Sequence, residues 1–214
     1  MEECTTSLGD IIELKRDNGD LTPYSPDIIH RVGFDISNAL NYLHNVILLL
    51  HCDIKSFNIL VKDDFKICKL CDFGVCLPLK KDGTIDEQKT GEEYEYVGTL
   101  AWSAPEILKF PQHITSKADI YSFGIVLYET LTLSIPISDE LLNSLEISSE
   151  DEEYDLCSKF EENQLVLPNI ELGSEYNIIL EIMHRCASHN LENRPSAKDL
   201  EVIFSDLKLL SSSV

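Results

Sequence analysis

"HCDIKSFN", residues 51–58, sets a histidine, an aspartate, a lysine and an asparagine at offsets 0, 2, 4 and 7. One short segment thus offers a carboxylate in Asp53, an ammonium in Lys55 and a hard amide oxygen in Asn58. Downstream, Ile59 to Val61 and Lys66 to Leu70 read as two short strands flanking a tight turn at Asp63-Asp64. Asn58 opens the first strand and Asp72 ends the second, so the hairpin brings these two oxygen ligands together. Moving a γ-phosphoryl group needs a carboxylate that orients the incoming hydroxyl and accepts its proton. It also needs oxygen ligands for magnesium and a cation that offsets charge in flight. Asp53 suits the first task, Asn58 and Asp72 the second, and Lys55 the third by steadying the γ-phosphate.

Outward from this segment the chain reads as mostly helical. A short helix is expected near Ser7 to Leu14. Ser25-Pro26 then offers an N-cap and an N1 proline for a long helix with its apolar stripe at Ile28, Val32, Ile36, Ala39, Leu40 and Leu43. "VILLL", residues 46–50, is the longest apolar run and reads as core. Residues 72–115 read as irregular and polar up to "WSAPEIL". Ser116 is expected to cap a strongly apolar helix through Leu131. Helices near 174–187 and 196–210 follow, the last opened by a Ser196/Asp199 capping box. Residues 138–155 hold eight acids and no base, which reads as a solvated insert.

The 214 residues are 43% hydrophobic, enough for one domain that buries roughly 70% of its unfolded surface. Seventeen Lys and Arg against 38 Asp and Glu leave a formal charge of −21. Such a surface repels phosphate backbones and anionic headgroups, which argues against nucleic acid and membrane as partners and favours basic protein substrates. Met1-Glu2-Glu3 lacks the positive start of a signal peptide, and no apolar run nears the about 18 residues that span a bilayer. Seven cysteines, an odd number, suggest free thiols in a reducing compartment. Cys68 and Cys71, three apart in a strand, point to opposite faces, so a metal or redox pair is not expected there.

The stretches "HCDIKSFNIL", "CDFGVCLPL", "AWSAPEIL", "KADIYSFGIVLYE" and "NRPSAKDLE" occur in this order. Together they resemble the catalytic loop, metal-binding DFG, APE, αF helix and C-terminal arginine motif of the eukaryotic protein kinases. The resemblance implies a mainly α (α+β) fold, a kinase-like C-lobe with a small β-hairpin at its catalytic edge, and ATP and Mg2+ as cofactors. It casts Asp53 as catalytic base and Asn58 and Asp72 as magnesium ligands, and places Leu60 beneath the adenine. His51 and Phe73 would stack, Glu106 would pair with Arg194, and Asp119 would tie its helix to the catalytic-loop backbone. Lys55 within D-x-K, with Gly98-Thr99, is similar to serine/threonine kinases, and dual specificity of the MAP-kinase-kinase kind stays open. "TLSIP" (132–136), the acidic insert, Cys52 and the carboxyl terminus resemble the lymphokine-activated killer T-cell-originated, or PDZ-binding, kinases. That likeness implies a cytoplasmic location with access to the nucleus.

Three departures qualify the likeness. Cys52 stands where kinases regulated by activation-loop phosphorylation carry arginine, and a thiol cannot form the charge-assisted pair with phosphate. Phosphate on Thr84, Thr90, Tyr94, Tyr96 or Thr99 is therefore expected to act without that switch. Second, only 50 residues precede His51, whereas a kinase N-lobe needs about 65. Gly9, Gly19 and Gly33 make no G-x-G-x-x-G loop. "MEECTTSLGDIIE" resembles the interlobe hinge, so residues 1–210 are expected to be the C-lobe alone, with the N-lobe absent and activity low. Two readings stay open: a fragment of an active kinase, favoured by the intact Asp53, Asn58 and Asp72, or a non-catalytic binding lobe. Third, residues 211–214, "SSSV", fit the pattern of a PDZ ligand ending in Val214.

Overall fold

The computed structural model describes residues 6–91, 94–109, 114–136, 167 and 170–211. Strand β1 (Thr6–Ser7) runs directly into α1 (Leu8–Asp17), where Ser7 and Asp10 close a capping box: Ser7 Oγ accepts from the Asp10 N–H at 3.0 Å and Asp10 Oδ2 from the Ser7 N–H at 3.1 Å. Helix α2 (Pro26–Tyr42) starts on its N1 proline, but the Ser25 hydroxyl at the cap position makes no cap bond. Its buried stripe is Ile29, Val32, Ile36 and Leu40, while Ile28 and Ala39, expected in the stripe, are only half-buried.

A π-helical turn, Leu43–Ile47, and left-handed Leu48 (φ 59°) then turn the chain into β2 (Leu49–Leu50). This turn corrects the reading of "VILLL" as core. Val46 and Ile47 are 62% and 45% exposed, and only Leu50 of the five is fully buried. The run is apolar in composition, but the wider turn directs its first two side chains outward.

Strands β3 (Ile59–Lys62) and β4 (Ile67–Leu70) form the expected hairpin, in register Ile59↔Leu70 to Lys62↔Ile67. Asp63, Asp64 and Phe65 between them are all left-handed, at φ 52°, 54° and 62°. Strand β1 adds antiparallel to β3, giving the order β1-β3-β4, and β5 (Leu77–Pro78) pairs with β2. The stretch read as irregular contains β5, α3 (Glu87–Thr90) and α4 (Pro105–Lys109), and is tied by the bridges Leu79↔Ile85 and Thr84↔Thr115. Helix α5 (Lys117–Thr132) follows. Ser116 itself has helical dihedrals, so it does not cap, and Thr115 Oγ1 accepts from the Lys117 N–H at 3.3 Å instead. Helices α6 (Asn177–Cys186), entered by a 3₁₀ turn at Ser174–Tyr176, and α7 (Ala197–Ser211) complete the described chain. Ser196 and Asp199 form the expected capping box.

Every residue of α5 from Ala118 to Leu131 is buried, as expected of an interior helix that is apolar all round. Helix α6 packs on it, and α2 packs on α7. At Gly33 the α2 backbone meets α7 so closely that a Cβ would come within 2.2 Å of the Phe204 ring. Two buried carboxylates brace the frame as the resemblance implied. Glu106 accepts from Arg194 Nη1 at 2.6 Å and Nη2 at 2.8 Å, joining α4 to the turn before α7. Asp119, in the first turn of α5, accepts from the backbone N–H groups of His51 at 2.8 Å and Cys52 at 3.0 Å. A favourable helix-dipole position suits a buried carboxylate, and His44 Nε2 adds a third contact at 2.7 Å. Among the described residues no helix is long and apolar enough to cross a membrane. The acidic insert 138–155 and the last three residues of the tail lie outside the described residues.

Candidate active site

Asp119 pins the start of residues 51–58 from below, and Cys52 adopts a left-handed φ of 70° above it. The segment then closes in a 3₁₀ turn at Ser56–Asn58 that leads straight into β3. Asn58 Nδ2 donates back to the Asp53 carbonyl at 2.8 Å and to Asp53 Oδ2 at 2.9 Å, which folds the loop around the carboxylate.

Both carboxylate oxygens of Asp53 have donors. Oδ2 takes Lys55 Nζ at 2.8 Å besides Asn58. Oδ1 takes the Thr99 N–H at 3.0 Å and the Thr99 hydroxyl at 2.6 Å. Lys55 Nζ also donates to Thr99 Oγ1 at 2.8 Å, so Asp53, Lys55 and Thr99 form a closed triangle. Burial works to raise the Asp53 pKa, but the Lys55, Thr99 and Asn58 donors outweigh it and hold the carboxyl below its usual range. The group is thus an ionised, fixed acceptor at neutral pH. The sequence presents Thr99 as part of a specificity motif and as a phosphate acceptor. Its hydroxyl is committed between Lys55 and Asp53.

The hairpin sets Asn58 and Asp72 at its open end, on neighbouring strands. The Asn58 carbonyl accepts from the Cys71 N–H at 3.0 Å, which sets Asp72 one residue beyond the pairing. Asp72 is exposed and left-handed (φ 62°), and its Oδ1 receives a long contact from the Gly74 N–H at 3.4 Å. The Asn58 amide nitrogen is spent on Asp53, leaving its oxygen to offer. Among the described residues no three of His, Cys, Asp and Glu converge as a metal cage. Two hard oxygens beside an open face instead fit magnesium, which keeps water and phosphate in most of its positions. Leu60 on β3 is half-buried, opposite in facing to buried Ile59 and Val61.

His51 is fully buried, with its Nε2 to the Cys71 carbonyl at 3.0 Å and its Nδ1 accepting from the Asp53 N–H at 3.3 Å. Its ring meets Phe73 edge-on at 5.2 Å, the contact expected of the pair. The Cys52 thiol is buried, and burial, then the field of Asp119, pushes it well above the ordinary thiol range. It stays neutral. None of the five described cysteines is in a disulfide.

Sequence reasoning missed Glu129. From inside α5 it accepts from Ser56 Oγ at 2.8 Å and Trp102 Nε1 at 2.7 Å, joining the catalytic loop to the segment before α4. An acid in the apolar second half of α5 was the available signal. Burial pushes Glu129 up to about 7 against the lowering effect of the two hydrogen bonds. A folded pKa above the unfolded one gives stability that is complete below the unfolded value and is lost as pH rises through about 7. Relative to Glu129→Gln, the wild-type protein should lose roughly 3 kcal/mol of unfolding free energy between about pH 5 and pH 8. Urea melts at the two pH values measure this, and equal pH dependence of the two proteins would count against it.

Comparison with known proteins places these features in a wider set. The protein kinase domain family matches residues 1–202. The lymphokine-activated killer T-cell-originated protein kinase of Homo sapiens is 36% identical over 202 residues, covering 89% of this chain and 59% of that relative. A leucine-rich repeat receptor-like serine/threonine-protein kinase of Arabidopsis thaliana is 28% identical over 182 residues, 81% of this chain and 16% of the relative. Mitogen-activated protein kinase kinase kinase 12 of Rattus norvegicus is 35% identical over 117 residues, 55% of this chain and 12% of the relative. The chain therefore spans under two thirds of the length of these relatives.

Proposed function

The chain belongs to the protein kinase family, and from that premise we propose that it transfers the γ-phosphoryl group of Mg-ATP to serine and threonine hydroxyls of protein substrates. The closed triangle of Asp53, Lys55 and Thr99 carries this reading. It presents a fixed, ionised carboxylate beside a cation and hydrogen-bonded to Asn58. Asp53 orients the incoming hydroxyl and accepts its proton, and Lys55 steadies the γ-phosphate. Asn58 and Asp72 would hold magnesium, which when bound offsets charge on the nucleotide phosphates. Leu60 would pack beneath the adenine. A threonine at position 99, small enough to sit between Lys55 and Asp53, supports serine/threonine specificity.

Residues 1–210 form, in this reading, the lobe from the interlobe hinge to the last helix, with 211–214 as a tail. The phosphate-covering glycine loop and its lysine are not encoded in the 214 residues. One missing charge-stabilising donor costs about 10²–10³ in rate, so transfer by these residues alone is slow. The test is to isolate the endogenous protein with an antibody against residues 138–155, weigh it, and supply Mg-ATP and a basic protein substrate. Phosphoserine and phosphothreonine are expected products; phosphotyrosine beside them would mean dual specificity. Absent transfer and absent Mg-ATP binding would overturn the reading.

The second reading is a binding lobe without catalysis; in either reading, where Val214 carries the terminal carboxylate, "SSSV" suits strand addition to a PDZ domain. Val214→Asp is expected to abolish capture by PDZ domains in a pull-down. Undiminished capture would refute the tail's role.

A further inference from the structure

We infer that Tyr96 is a positioning residue whose ring, packed with Gly98 against the Cys52 carbonyl, holds residues 94–99 on the catalytic loop without a phosphate. The inference rests on the kinase reading for its meaning, but its geometry stands apart from it. Residues 94–97 alternate: Tyr94 and Tyr96 turn toward the core, while Glu95 and Val97 face solvent. That is the pattern of a strand-like segment laid along a surface.

The contact with the catalytic loop is close. A Cβ at Gly98 would come within 2.4 Å of Tyr96 Cε1 and 2.5 Å of the Cys52 carbonyl oxygen. Only glycine lets the segment sit between ring and loop. The next residue, Thr99, delivers its N–H and hydroxyl to Asp53 Oδ1. Tyr96, Gly98 and Thr99 thus form one continuous seam from the segment to the reacting carboxylate. Cys52, which in this seam offers only a neutral, buried thiol, provides no charge for a phosphate to grip.

The surroundings of the Tyr96 hydroxyl fit a neutral anchor. Burial, then Asp119, Cys52, Asp53 and Glu106, push its ionisation well above the ordinary tyrosine value. Lys55, the cation of the loop, is committed to Asp53 and Thr99. A phosphate ester here would add about two negative charges among three carboxylates. The seam therefore works with the tyrosine unmodified.

Amide hydrogen exchange of the phosphatase-treated full chain tests the inference, since local opening sets the exchange rate. Wild type and Tyr96→Phe should protect the Thr99 amide equally, before and after phosphatase. Tyr96→Ala and Gly98→Ala should each speed exchange over residues 96–103 by about tenfold or more, with α5 amides unchanged. Should Tyr96→Ala fail to fold, Gly98→Ala decides alone. Unchanged exchange in these variants, or rapid exchange in phosphatase-treated wild type, overturns the inference. Loss of Mg-ATP transfer with the exchange pattern intact would sink the kinase reading instead.

Discussion

Replacing Arg194 with alanine is expected to lower the unfolding free energy by about 3–5 kcal/mol, a large share of the roughly 5–15 kcal/mol available to a domain. Arg194 is 1% exposed and its guanidinium makes four hydrogen bonds. Nη1 and Nη2 grip Glu106, Nη1 also reaches the Lys117 carbonyl at 3.1 Å, and Nε reaches the Ser188 carbonyl at 2.6 Å. The planar face lies 4.9 Å from the centre of the Tyr121 ring. Truncation leaves the Glu106 carboxylate buried without a counter-charge and strands two carbonyls. Most of the cost comes from that uncompensated charge. A companion Glu106→Gln in the same background should therefore recover part of the loss. Arg194→Lys cannot make the two-pronged pair and should fall between. Urea titration of the three variants measures these effects; a loss below about 1 kcal/mol for Arg194→Ala would mean that the pair is a surface-like bridge.

Asp53→Asn is expected to cut the turnover of the endogenous protein by about 10²–10⁴, the range of a lost general base. The amide preserves shape but has one acceptor oxygen where the carboxylate has two. Whichever way it turns, its NH2 faces donors: Thr99 on one side, or Lys55 and Asn58 on the other. It can neither accept the substrate proton nor keep the triangle closed. Asp53 is not in the proposed metal pair, so the Kd for Mg-ATP should stay near wild type while Asp72→Asn weakens it. Steady-state kinetics with direct nucleotide binding separates the two. Turnover within about threefold of wild type would remove Asp53 from the chemistry. Because its carboxyl is held below the usual range, the stability that Asp53 contributes persists through neutral pH and is lost only as pH falls through that lowered value.

Much of the site was legible because its parts are local. The offsets within residues 51–58 and the hairpin that follows are short-range, so Asn58 and Asp72 could be paired from strand geometry alone. The contacts of Glu106 with Arg194, and of Asp119 with the loop, run across the fold, and family resemblance rather than spacing supplied them. Where neither applied, reading failed. Thr99 lies 46 positions from Asp53, and Glu129 lies 73 positions from Ser56, and no periodicity links such pairs. Strand β1, two residues long, is too short to show alternation. "VILLL" misled because composition reports how apolar a run is, not which way a π-helical turn points it.

By itself the sequence determined the helical class, the hairpin and the capping box at Ser196, and it singled out the candidate phosphoryl-transfer groups, since propensity, turns and residue chemistry act within a few positions. Only the tertiary structure decided which acids are buried, which donors saturate Asp53, and that Tyr96 and Gly98 seal the segment to Cys52. Those outcomes depend on which distant surfaces exclude water together, because burial sets both the strength of a hydrogen bond and the cost of a charge.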